Sequence, residues 1–222
     1  VGSLVACGGG SGGGTVAASA AVTSIDTFQL KTAYVNYLNT AGSYPFTVTG
    51  TLSGFSVTGS GISTVSSLTS GTFEGAAALV KTSTVTGSVT ANGNTVSLAS
   101  TGTGYVDSNY TQLGASGTEY SVISGAVTVP LTARVNDTGV WYSSNRYTTN
   151  AKTTLLGTNT VSFVMEPDTA STAYMTIIST LKNTGGTVTS TQTQKYRITP
   201  AGQLTRIRET LLDNTSNIVI SY

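Results

Sequence analysis

Histidine is missing altogether from this chain of 222 residues, and charge is scarce: ten Lys and Arg face nine Asp and Glu, only 9% of the residues. The first absence removes the commonest metal ligand and the commonest acid–base catalyst. With a net charge of +1 there is no basic field to draw in a phosphate backbone, so no nucleic-acid partner is expected. The single cysteine, Cys7, forbids an intrachain disulfide and any cysteine-based zinc site. No stretch approaches the roughly 20 apolar residues that carry a helix across a bilayer.

Ser, Thr, Asn and Gln take the place of charge as the source of a hydrophilic surface. Low charge with abundant Thr and Gly suits secreted and cell-surface β proteins. It is not the composition of disorder, which needs high net charge and few β-branched residues. A single domain of this size buries roughly 70% of its unfolded surface, enough to stand without staples.

Leu4-Val5-Ala6-Cys7, followed by Gly8-Gly9-Gly10-Ser11-Gly12-Gly13-Gly14, divides the chain. The four-residue motif resembles the lipobox of bacterial lipoproteins. That resemblance implies acylation of Cys7, which becomes the new N-terminus, and a body tethered at the outer-membrane surface. Residues 1–6 then read as the end of a signal segment. Ala18-Ser19-Ala20 fits a small-x-small cleavage site, so plain secretion is the competing expectation. Residues 1–20 are read as remnant, tether or assembly arm, and 21–222 as one β-rich domain.

Within 24–39, Ile25, Phe28, Val35 and Leu38 recur at helical multiples, with Ser24 or Asp26 as a cap and Pro45 barring resumption. This predicts one amphipathic helix packed on a sheet. Beyond Pro45 the pattern is strand and turn. Thr47–Leu52 and 55–58 alternate apolar with hydroxylic residues. Asn92-Gly93 marks a hairpin between 84–91 and 94–100. Further strands are expected at 122–129, 140–149, 158–165, 173–181, 187–199, 203–211 and 216–222. Turn-linked strands in series favour an antiparallel arrangement, so the expected fold is mainly β, an antiparallel sandwich or curved meander sheet with one N-terminal amphipathic helix. Segment 187–199 differs, being polar on both faces in its middle. It is expected as an exposed hairpin, with an edge strand, a projecting arm or a strand wet on both sides as the alternatives.

Catalytic groupings are weak. Ser179-x-x-Lys182 has the spacing of a nucleophile and its base, but on a strand the two side chains point to opposite faces. Glu166 and Asp168 read as solvated loop acids, and Asn136-Asp137 and Asp213-Asn214 as turn residues rather than calcium ligands. Lys81 and Lys152 are candidate lysines for an isopeptide crosslink, with no partner that the sequence can place. Arg206 and Arg208 share a strand face and read as solvated. No enzyme, cofactor or metal is expected.

Aromatics are the remaining means of binding. Trp141, Tyr142 and Tyr147, with Arg146, form the densest group, suited to stacking on a sugar or docking a partner. The competing role is core anchoring, since alternation puts Trp141 and Tyr142 on opposite faces. Two functions follow. The first is a non-enzymatic extracellular structural subunit that self-assembles into filaments, a homo-oligomer joined by strand addition through Val1, Leu4, Val5, Val16 and Val22. The second is a monomeric lipoprotein holding a hydrophobic or carbohydrate ligand beneath the helix.

Overall fold

The computed structural model describes residues 23–222. The expectations placed on Val1, Leu4, Val5, Cys7, Val16 and Val22 lie outside the described residues. Among the described residues one helix, α1 (Leu30–Asn39), precedes thirteen strands: β1 (Gly42–Leu52), β2 (Phe55–Val65), β3 (Thr69–Phe73), β4 (Ala76–Ala91), β5 (Asn94–Val106), β6 (Gln112–Ser116), β7 (Tyr120–Ile123), β8 (Thr138–Tyr147), β9 (Leu155–Pro167), β10 (Ala173–Lys182), β11 (Val188–Ile198), β12 (Leu204–Asp213) and β13 (Ser216–Ser221).

All pairings are antiparallel and nearly all join neighbours in sequence. β13 returns to β1, with Thr47 opposite Ser221, and β2 pairs with β4, with Val57 opposite Ala91. β2 and β3 run along the same side of β4 as two parts of one interrupted strand. The ring is therefore a closed 12-strand antiparallel barrel. The expected alternatives are a sandwich or a curved meander; the meander continues until its last strand meets its first, and closure satisfies the edges that an open sheet would leave bare, except along 94–102 of β5.

Alternation fixes what each side of the wall carries. On β4, Val85 and Val89 turn inward and pack with Phe46, Val48, Val57, Leu98 and Ile218 near one end. The alternate residues Thr82, Thr84, Thr86, Ser88 and Thr90 therefore form the outer face of the same strand. At the other end Phe163, Met165, Ala173, Met175, Tyr196 and Ile198 close around α1 in the main core. Asn92 (φ 48°) and Gly93 (φ 74°) make the expected left-handed hairpin turn.

α1 is shorter than the 24–39 expectation, and Ile25 is exposed while Phe28 is fully buried. Neither Ser24 nor Asp26 caps it; Gln29 holds the cap position without a side-chain bond. The reason is tertiary. Gln29 N donates to Pro200 O at 3.1 Å and Lys31 N to Leu131 O at 3.3 Å, so neighbouring loops satisfy the first helical amides. Gly202 permits this approach, because a Cβ there would meet Gln29 O at 2.8 Å. The loop partners also explain why the expected strand 122–129 stops at Ile123. Beyond it the chain leaves the sheet to form the 124–137 loop, which pairs Ala133 with Phe28.

β11 is neither an exposed arm nor an edge. It lies between β10 and β12 with partners on both sides. Gln192 and Gln194 face the barrel interior and Thr191 and Thr193 the outside, so the strand is polar on both faces because both faces are wet.

Candidate functional site

The interior is not filled. Beneath α1 lie three adjoining recesses of about 480, 190 and 190 Å³, all of which include Gln194 in their lining. Tyr37 and Leu38 of the helix form part of the roof. Gln192 and Gln194 of β11 stand on one wall, and Gly102 and Gly104 of β5 on another. A Cβ added at either glycine would find no atom nearer than 4.0 Å, so these residues leave the wall recessed.

Both ends of the roof are tied down. At the C-terminal end of α1, buried Lys81 donates from Nζ to Leu38 O at 3.0 Å, Thr40 O at 2.8 Å and Ser66 O at 2.8 Å. All three ammonium protons are thus used on carbonyl oxygens, a cap supplied from β4 rather than from the helix itself. Burial, with a smaller contribution from Arg206, pulls this ammonium down to about 8. An isopeptide role for Lys81 finds no support in these contacts. Lys152, the other candidate, is paired with Glu74.

Of the expected aromatic group, two members reach the interior. Register slips between Val140 and Tyr142, a bulge that puts two residues of β8 opposite one of β9. Trp141 is buried in the main core while Tyr142 lines the recesses, so the simple alternation expected for them fails. Tyr147 lies instead opposite Tyr120, on the outer wall. There Phe73 stacks on Tyr120 at 5.6 Å and lies 4.7 Å from Tyr105, a structural patch fastened by a hydrogen bond from Tyr120 to Glu74.

A second bulge, between Lys195 and Tyr196, has a larger consequence. Tyr196 pairs with Arg206 and Lys195 with Arg208, which sends the two arginines to opposite faces. The expectation of a shared, solvated face is therefore corrected. Arg208 is exposed, and Arg206 turns inward among tyrosines, its Cζ 4.5 Å from the Tyr44 ring centre, 5.3 Å from Tyr222 and 5.9 Å from Tyr37. These residues line a further recess of about 400 Å³, beside the other three. Burial pushes the Tyr142 and Tyr222 phenols up to about 12, and Tyr196 well above its ordinary value, so all three remain hydrogen-bond donors at neutral pH.

The other sequence candidates serve the wall. Glu166 pairs with Lys195 and Asp168 with Arg197, flanking Tyr174 on the outside of the barrel. Asp213 accepts from Thr215 N at 2.7 Å and Ser216 N at 2.8 Å, and Asp137 from Arg134 N at 2.8 Å; both are turn residues, as expected. Ser179 bonds Asn159 at 2.8 Å on the inner side, away from Lys182. Missed altogether were the inward ion pair Arg146–Glu119, a two-pronged contact at 2.7 Å, and the glutamine wall. The doubly polar pattern of 187–199 was the one signal that pointed to that wall.

Comparison with protein-family models, with curated proteins and with solved structures finds no match to this chain.

Proposed function

We propose that this protein is a non-enzymatic binding protein that holds a small ligand in the barrel interior, under the fixed roof of α1. The ligand has an apolar or aromatic body and a few hydrogen-bonding groups. One observation carries the reading: the space beneath the helix is open, yet its walls are specific. Leu38, Leu68 and Val106 offer apolar contact, while Gln112, Gln192 and Gln194, each already bonded within the barrel to Gly114, Glu209 and Tyr196 respectively, keep further donor and acceptor capacity toward the recess. Ligand sites typically combine a mainly apolar lining with a small number of placed polar groups. The hydroxylic outer wall suits water rather than acyl chains, whereas a lipid-spanning barrel carries its apolar band outside. Attachment at a bacterial surface through Cys7 belongs to the same proposal and rests on the motif alone.

The test uses Trp141, the only tryptophan, as a built-in reporter. Titration with the neutral fluorophore N-phenyl-1-naphthylamine is expected to give saturable binding at one site per chain with quenching of Trp141 emission. Absence of saturable binding would count against the reading.

The structural-subunit reading keeps one favourable observation. β5 pairs with β4 along its whole length but with β6 only over Thr103–Val106, so its exposed lower part has a partner on one side only among the described residues. No charge, proline or bulge guards that edge, and a strand from a second copy would fit it. Sedimentation velocity at rising concentration separates the two readings: a persistent monomer opposes assembly.

A further inference from the structure

We propose that the recess around Arg206 is an anion site, and that the natural ligand carries a carboxylate or a chemically equivalent single negative group on its apolar body. This rests on the reading of the interior as a ligand-binding space and adds the charge of the ligand to it.

Arg206 lacks the carboxylate partner that other arginines of the barrel have. Arg146 and Arg197 each meet a carboxylate through two nitrogens, Arg197 at 2.6 and 3.3 Å from Asp168. Arg206 forms no ion pair among the described residues, and residues 1–22 contain no acid that could supply one. Its hydrogen bonds are few and long, 3.4 Å to Ser63 Oγ and 3.5 Å to Tyr37 Oη. A guanidinium has five N–H donors, so most of this fork is unspent. Glu209 lies on the same strand but gives its oxygens to Gln192 and to Tyr222.

What surrounds Arg206 fixes its position without quenching its charge. Contacts between the cation and the tyrosine faces hold the guanidinium and leave its donor edge free. Burial acts to lower its pKa and the surrounding tyrosines, where ionised, act to raise it, and the guanidinium stays charged at neutral pH. Lys81 adds positive potential from the other side of Tyr37's surroundings, with its Nζ 5.4 Å from that ring. A partly buried cation without a counter-charge is costly to keep. A ligand carboxylate would supply two parallel N–H···O bonds, the geometry to which the guanidinium fork is suited. Tyr222 continues from this point toward the apolar end, its ring 6.2 Å from Phe46. The polar group and the body of one ligand thus have adjacent places.

Two probes that share a skeleton test the charge. 1-Anilinonaphthalene-8-sulfonate is N-phenyl-1-naphthylamine with one sulfonate added. In the wild-type protein the sulfonate probe is expected to bind more tightly than the neutral one, and to weaken as sodium chloride is raised while the neutral probe does not. Arg206→Met is expected to lower affinity for the anionic probe by about tenfold or more, the loss of a charge-assisted pair, and to leave the neutral probe within about twofold. Arg206→Lys should fall between, since it keeps the charge and loses the fork. Equal loss of both probes in a folded Arg206→Met protein, or no loss of the anionic one, would overturn the anion site while the binding interior stands. Failure of both probes to bind the wild type would overturn the interior reading and this one together. The wild-type salt dependence decides the matter even if Arg206→Met does not fold, because a salt-insensitive sulfonate probe contradicts it.

Discussion

Lys81 Nζ donates to the carbonyl oxygen of Leu38 at 3.0 Å, fastening the last turn of the helix to the wall of the barrel. The same ammonium holds Thr40 and Ser66, so one side chain satisfies three carbonyl groups near the roof. Replacing it with methionine keeps much of the length and leaves those oxygens without their donor. Lys81→Met is expected to cost about 2 kcal/mol of stability, the scale for losing hydrogen bonds to a charged group. Chemical denaturation checks this. An unchanged midpoint would show that water replaces the ammonium freely.

The pH dependence of that contact has a definite sign. Lys81 lies at about 8 when folded against an ordinary 10.5. Across that window the unfolded chain holds a proton that the folded chain has released, so stability rises with pH. Below about 8 both states are protonated, and the burial cost is fully present. Tyr34, Tyr142 and Tyr196, raised chiefly by burial, work the other way once pH passes the ordinary tyrosine range near 10. Thermal melts should therefore show the wild-type midpoint rising from neutral pH toward about 9.5, a rise that Lys81→Met lacks.

At acid pH the relevant groups are Asp213 and Asp168, each held at about 2 against an ordinary 3.8. The first is lowered chiefly by its bond with Ser216 and then by Thr215, the second chiefly by Arg197. Their contribution is complete above 3.8 and disappears as pH falls through 2. The midpoint of the wild type should drop over that interval. Asp213→Asn, which keeps an acceptor for the β12–β13 turn but does not titrate, should show a smaller drop. Parallel curves for the two proteins would remove Asp213 from the acid transition.

Gly102 offers a way to fill the interior without disturbing the wall. An added Cβ there meets nothing closer than Ser116 O at 4.0 Å, and the backbone is not left-handed. Glycine in a strand carries an entropic cost of about 0.5–1 kcal/mol relative to alanine, so a larger residue need not destabilise the fold. Gly102→Leu is expected to melt close to the wild type and to bind N-phenyl-1-naphthylamine about tenfold more weakly, as occupied space excludes the probe. Unchanged affinity would place the probe elsewhere.

Most of the wall could be read from local pattern. Asn92-Gly93 and the alternation around it specify their hairpin through turn geometry and period, both properties of adjacent residues. Closure could not be read, because it depends on Thr47 meeting Ser221 across almost the whole chain. The interior was hidden for a related reason. Alternation predicts sides only where the register is unbroken, and the bulges at Trp141 and Tyr196 reverse it at the positions that matter. Arg206 and Arg208 look equivalent two residues apart, yet one unpaired residue between them sends one inward and the other out. Polar residues on both faces of β11, Gln192 and Gln194 inward and Thr191 and Thr193 outward, stand out in the sequence as an oddity. Their meaning needs a closed ring with open recesses beneath its helix.

The proposed ligand occupies the space beneath α1. Intermolecular nuclear Overhauser effects from bound N-phenyl-1-naphthylamine, measured on isotope-labelled protein, locate it most directly. Contacts are expected to Leu38, Leu68 and Val106, which line the interior. Contacts confined to exposed side chains such as Ile62, Leu131 and Val140, with none to the interior set, would contradict it.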